Sequence, residues 1–75
     1  MSGTGIVNAI RRLRFEHGEM TQAQLAEKVG VTRQTINAIE QGKYSPSLEA
    51  AFKIAAAFGV GLDDVFQYHS GEAPR

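Results

Sequence analysis

Residues 21–44, TQAQLAEKVGVTRQTINAIEQGKY, leave this chain few folds to adopt, because they spell two short helices with almost no room between them. Thr21 with Gln24 three positions on predicts a capping box, in which the hydroxyl accepts from a backbone N–H and the amide reaches back. Leu25, Ala26 and Val29 then recur at helical spacing and form one apolar stripe. Gly30 follows, the residue that most easily takes the positive φ that ends a helix. Thr32 is placed to cap a second helix almost at once. Two helices joined by so short a turn cross steeply, and the small Ala26 lets them approach.

The second helix points to function. Ile36, Ile39 and the stem of Glu40 share one side, with Thr35 at its edge, so this side packs inward. Arg33, Gln34, Asn37, Ala38 and Gln41 fall on the other side. A helix surface selected for solubility alone more often alternates Glu and Lys. This face carries the side chains that make paired hydrogen bonds to base edges: Arg suits guanine O6 and N7, and Gln or Asn suits adenine N6 and N7. Ala38 leaves room for close approach, and its methyl suits a thymine methyl. The competing reading is a solvated face with no partner; the turn that precedes the helix argues against it, since that turn is what places a helix in the major groove.

These residues carry a resemblance. The chain resembles the Cro/C1-type helix-turn-helix family, also called the Xre family, which includes phage repressors and many small bacterial and archaeal regulators. The matching features are Leu13-Arg14, Thr21-Gln22, Leu25-Ala26, Val29-Gly30-Val31 and Thr32-Arg33-Gln34-Thr35-Ile36. They continue through Ile39-Glu40, Gly42-Lys43-Tyr44, Pro46-Ser47-Leu48, Ile54-Ala55 and Leu62-Asp63-Asp64-Val65-Phe66. The resemblance implies an all-α, five-helix, lambda-repressor-like fold with the helix-turn-helix at helices 2 and 3. It also implies roles by position. Gln22 matches a residue that binds phosphate and buttresses the recognition helix. Thr32, Arg33, Gln34, Asn37 and Ala38 match positions facing the major groove, and Thr35, Gln41, Lys43 and Tyr44 match positions near the sugar-phosphate backbone. Arg14 and Glu40 correspond to a partly buried ion pair tying helix 1 to the recognition helix. One departure stands out: Gly18-Glu19-Met20 is one residue longer than the common spacing before Thr21, which bears on the bend after helix 1.

Composition narrows the alternatives. With 75 residues there is room for one small domain, expected over residues 6–68 between a flexible N-terminus (1–5) and a flexible tail (69–75). There is no cysteine, hence no disulfide framework, thiolate metal site or thiol nucleophile, which fits a reducing cytoplasm. The sequence holds no long apolar run of membrane-spanning length. The zero net charge argues against a strongly basic nucleic-acid binder, but the charges are unevenly placed. Residues 1–47 hold six basic groups against four acidic ones, and residues 48–75 hold two against four.

Ile6, Ile10 and Leu13 predict a first helix over about residues 5–17, with Arg11 and Arg12 on its outer side as solvated charges or phosphate contacts. Ser47 is placed to cap a fourth helix whose apolar stripe is Leu48, Ala51, Phe52, Ala55 and Phe58, widened by Ile54. A short fifth helix after Gly61 sets Asp63 and Asp64 at its positive end. A core this small favours partnership. A homodimer is therefore expected, with Val60, Phe66 and Tyr68 as apolar contributors near Gln67-Tyr68-His69, or with Tyr68 merely covering the core.

Catalysis is not expected. Asp63-Asp64 suits helix capping better than acid–base work. His17 and His69 have no second ligand at metal spacing, and no glycine-rich phosphate cradle is present. No cofactor or small-molecule ligand is implied. The expected function is a DNA-binding transcriptional regulator, a repressor sooner than an activator, with a double-stranded operator as partner. The rival is a protein-interaction module on the same fold, such as an antitoxin or bridging cofactor.

Overall fold

The computed structural model describes residues 5–68. In chain order these form β1 (Ile6–Asn8), α1 (Ile10–Glu16), α2 (Gln22–Val29), α3 (Arg33–Glu40), α4 (Leu48–Phe58), α5 (Leu62–Val65) and β2 (Phe66–Tyr68). The five expected helices are present. The all-α expectation is corrected: β1 and β2 pair antiparallel, with Ile6 opposite Tyr68, Val7 opposite Gln67 and Asn8 opposite Phe66. Accordingly α1 begins at Ile10, not near residue 5. The i, i+4, i+7 run of Ile6, Ile10 and Leu13 fits a helix, but Ile6 and Val7 are β-branched, and Ile6 finds its aromatic partner Tyr68 on β2 only when both ends of the domain meet. Ala9 N–H donates to the Val65 carbonyl at 2.9 Å, and Asn8 Oδ1 accepts from the Ile10 N–H at 3.1 Å. These bonds turn the chain out of the strand and into the helix.

The helix-turn-helix forms as the local chemistry dictates. Thr21 and Gln24 close the capping box in both directions, at 3.0 and 2.9 Å. Gly30 adopts φ +89°, and the Gly30 and Val31 N–H groups both return to the Ala26 carbonyl. Thr32 then caps α3 by accepting from the Thr35 N–H at 3.1 Å. A Cβ at Gly30 would meet nothing, so the cost of Gly30→Ala is backbone strain alone. We expect it to lower stability by about 1 kcal/mol in a denaturant titration, with α2 and α3 otherwise in place.

The core joins all five helices: Ile10 and Leu13 of α1, Leu25, Ala26 and Val29 of α2, Ile36 and Ile39 of α3, Ile54, Ala55 and Phe58 of α4, and Val65 of α5. The α4 stripe is corrected. Ala51, Ile54, Ala55 and Phe58 face inward, whereas Leu48 and Phe52 lie on the surface. The buried set keeps its own i, i+3, i+4, i+7 spacing, which turns Phe52 and the first residue of the helix away from α2. Of the expected dimer contributors, Val60 and Phe66 pack against the core, leaving Tyr68 exposed; His69 lies outside the described residues.

The longer bend after α1 is accommodated by two consecutive left-handed residues, Gly18 at φ +77° and Glu19 at φ +56°. Met20 then returns to α1, its N–H donating to the Arg14 carbonyl at 2.9 Å, while Arg14 Nη1 donates to the Met20 carbonyl at 2.8 Å. His17 joins two helix ends. Its Nδ1 lies 2.8 Å from the Leu13 carbonyl, its Nε2 lies 3.0 Å from the Phe58 carbonyl, and its ring tilts against Phe58. The sequence offered only a histidine without a second ligand; the fold uses it as a clasp between α1 and α4.

Candidate nucleic-acid interface

The inward side of α3 is settled by Ile36 and Ile39, both buried. Helical geometry then fixes the opposite side. Arg33 and Gln34 are exposed, Asn37 and Ala38 are half-buried, and Gln41 is exposed just past the last turn. Among the described residues Arg33 enters no ion pair, and neither the Arg33 nor the Gln34 side chain has an intramolecular hydrogen-bond partner. Thr35 is half-buried and Thr32 exposed, with their hydroxyls 2.9 Å apart; the Thr32 hydroxyl is thus committed to capping. Gly42 at φ +74° ends the helix, and the Lys43 N–H returns to the Ala38 carbonyl at 3.0 Å. Lys43 and Tyr44 are exposed there, beside the open end of the polar face.

Behind this face lies a connected polar network. Glu40 grips Arg14 through two oxygens: Arg14 Nε donates to Oε2 at 2.7 Å and Nη2 to Oε1 at 3.1 Å. The side chains are only 16% and 9% exposed, so the pair spans α1 and α3 largely out of water, in the two-pronged geometry that suits guanidinium and carboxylate. Gln22, the first residue of α2, donates from Nε2 to Glu40 Oε1 at 3.1 Å and to Asn37 Oδ1 at 3.2 Å. Gln41 Nε2 donates to the same Asn37 oxygen at 3.3 Å. Asn8 Nδ2 donates to the Ile39 carbonyl at 2.9 Å and so anchors β1 to the end of α3. Of the twelve positions expected from the sequence, nine lie along the outer side and ends of α3, Gln22 of α2 joins the network behind that side, and Arg14 with Glu40 lies beneath it.

A groove beside α3 is lined by Asn8, Arg11, Arg14, Gln22, Asn37, Glu40 and Gln41. Arg11 and Arg12 therefore part company. Arg12 leans toward Glu16, 4.0 Å away on the same helix. Arg11 borders the polar face and has no ion pair among the described residues. Sequence periodicity put both on the outer side of α1 and had no means of separating them; the direction of the groove does. Asn8 was missed altogether, because a β-strand position before α1 has no signal in helical spacing.

With the geometry in hand, comparison with known proteins is informative. A helix-turn-helix family matches residues 10–65. An uncharacterised helix-turn-helix-type transcriptional regulator of Methanocaldococcus jannaschii is 54% identical over 65 residues, covering 87% of this chain and 97% of that protein. The immunity repressor protein of Bacillus phage phi105 is 39% identical over 59 residues, covering 79% of this chain and 38% of the repressor. Among solved structures, a candidate DNA-binding protein of Bacteroides fragilis superposes with a TM-score of 0.70 at 26% identity, covering 83% of this chain and 98% of that one.

Proposed function

Because the chain belongs to the Cro/C1-type helix-turn-helix family of DNA-binding transcriptional regulators, we propose that it acts as a sequence-specific repressor that sets α3 in the major groove of a double-stranded operator. One observation carries this: α3 turns Arg33, Gln34, Asn37 and Ala38 to one accessible side, with Arg33 and Gln34 unpartnered within the described residues. A base edge satisfies the Arg33 and Gln34 side chains as nothing else among the described residues does. Thr32 borders that side. Gln22, Thr35, Gln41, Lys43 and Tyr44 flank it, in reach of phosphates, and Arg11 extends the positive rim along the groove. The N-terminal turn of α2, where the Gln22 and Ala23 N–H groups have no partner among the described residues, suits a phosphate as well.

Repression, by occupying a promoter, is the reading that the phage immunity repressor's likeness favours. The protein works as a homodimer in this proposal, because one α3 reads only a few base pairs and a two-fold pair doubles the reading. Exposed Tyr68, at 70%, and Val7, at 42%, offer apolar surface for the contact. Its place is the cytoplasm, and no helix among the described residues is long and apolar enough to cross a membrane.

Selection of bound duplexes from a random pool tests the proposal: the expected result is an inverted repeat with half-sites about one helical turn apart. Failure to enrich any motif overturns it in favour of a protein-interaction module. Arg33→Ala should relax preference at a single base pair by about 1–3 kcal/mol. Uniform weakening across all sequences would mean that Arg33 touches phosphate instead.

A further inference from the structure

The orientation of an amide is set by its partners, since its nitrogen and oxygen are told apart only by what each can bond. Here the partners form a chain that starts at a charge. Glu40, clamped by Arg14 at 2.7 Å, offers a carboxylate that only accepts. The end of Gln22 lying 3.1 Å from Glu40 Oε1 must therefore be its NH2. The second hydrogen of that NH2 points to Asn37, 3.2 Å away, so the Asn37 atom facing it must be the oxygen. Gln41 donates to the same oxygen at 3.3 Å. Both lone pairs of Asn37 Oδ1 are then occupied, and among the described residues nothing accepts from Nδ2.

This has a consequence for which base the side chain recognises. An asparagine reads adenine by accepting from N6 while donating to N7, and so needs both ends of its amide. Guanine presents two adjacent acceptors, O6 and N7, and asks only for donors. We propose that Asn37 selects guanine over adenine, because the Arg14–Glu40 pair, relayed through Gln22, leaves it donors alone to offer a base. The inference rests on the reading of α3 as the groove helix. It reverses the adenine preference that the residue type by itself suggests. Gln34 supplies an internal contrast: its amide has no intramolecular partner among the described residues, keeps both ends and remains suited to adenine.

The test uses the full chain and the motif recovered from a random duplex pool, with competition titrations at the base pair whose preference Asn37→Ala flattens. The wild type should favour guanine over adenine at this pair by roughly fivefold or more. Replacing that guanine by 7-deazaguanine, which lacks the N7 acceptor, should weaken binding. Gln22→Leu removes the relay, lets the Asn37 amide turn, and should bring guanine and adenine to within about twofold, while the pair sensitive to Gln34→Ala keeps its preference. The ratio is read rather than the affinity, so any loss of a phosphate contact by Gln22 drops out. Should Gln22→Leu fail to fold, Asn37→Asp serves: it keeps an acceptor toward Gln22 and Gln41, presents an acceptor outward, and should shift the preferred base to cytosine, whose N4 donates.

Adenine preferred at the Asn37-sensitive pair, or no pair sensitive to Asn37→Ala, overturns the inference while leaving the DNA-reading role of α3 in place, provided Arg33→Ala still alters the motif. Recovery of no motif from the wild type removes both.

Discussion

Glu40→Ala is expected to destabilise the protein by about 3–5 kcal/mol, the usual loss when one member of a largely buried ion pair is removed and the other is left without compensation. Arg14 is held at 16% exposure by more than Glu40, since its Nη1 also donates to the Met20 carbonyl. It is therefore not free to swing into water without also opening the bend after α1. A domain of this size has roughly 5–10 kcal/mol in total, so the variant should melt far earlier or be partly unfolded at ambient temperature. Glu40→Gln keeps the shape and one acceptor oxygen, but loses the charge and turns an NH2 toward the donors of Arg14 or Gln22; it should lose less than the truncation. Thermal and denaturant melts of the two variants separate the cases. Wild-type melting of Glu40→Ala accompanied by loss of DNA binding would reassign Glu40 from holding α3 in place to contacting the nucleic acid.

Ile36→Ala is the second large effect, at about 2–5 kcal/mol. Ile36 is fully buried, as is Leu25 on the facing helix, and it is one of only two α3 side chains that anchor the helix to the core. Deleting its branches removes apolar surface from the core and opens a cavity where α2 and α3 cross, and close-packed neighbours refill such a space only in part. Ile36→Val, which loses one methylene, should cost about 0.5–1.5 kcal/mol and still bind its operator. The difference between these two melting curves distinguishes packing at this position from any demand for a β-branched side chain. If Ile36→Ala melts like the wild type, α3 must be held mainly by its polar network.

Both effects bear on the same design. In the proposed role the exposed side of α3 carries the readout, and its position depends on two attachments of different kind: Ile36 and Ile39 to the core, and Glu40 to Arg14 and Gln22. The first is non-directional and sets depth. The second is directional, and passes orientation on to Asn37.

How much of this was legible beforehand follows the range of the interactions. Thr21, Gln24, Gly30, Thr32 and Ser47 all take the conformations and bonds expected of them, because caps and helix stops are decided within a few residues of sequence. The polar side of α3 was likewise readable, since Ile36 and Ile39 fix the inward direction by helical spacing alone. The family resemblance, rather than periodicity, suggested Arg14 with Glu40, whose side chains meet at 2.7 Å. Features that join distant parts of the chain were not legible. Ile6 kept helical register with Ile10 and Leu13, yet pairs as a strand with a segment at the far end of the domain. Leu48 and Phe52 fit an apolar stripe that the packing of α4 rotates away from. Arg11 and Arg12 are neighbours in sequence but part at the groove.

The chain's order of residues, taken alone, determined where helices begin and stop and which side of α3 is polar, because those outcomes depend on backbone hydrogen bonds and spacing a turn or two apart. Tertiary structure decided the sheet, the surface of α4 and the fate of each amide around Glu40. Each of these depends on groups brought together from distant positions, and a hydrogen-bonding side chain acquires a definite donor and acceptor end only when its neighbours in space are in place.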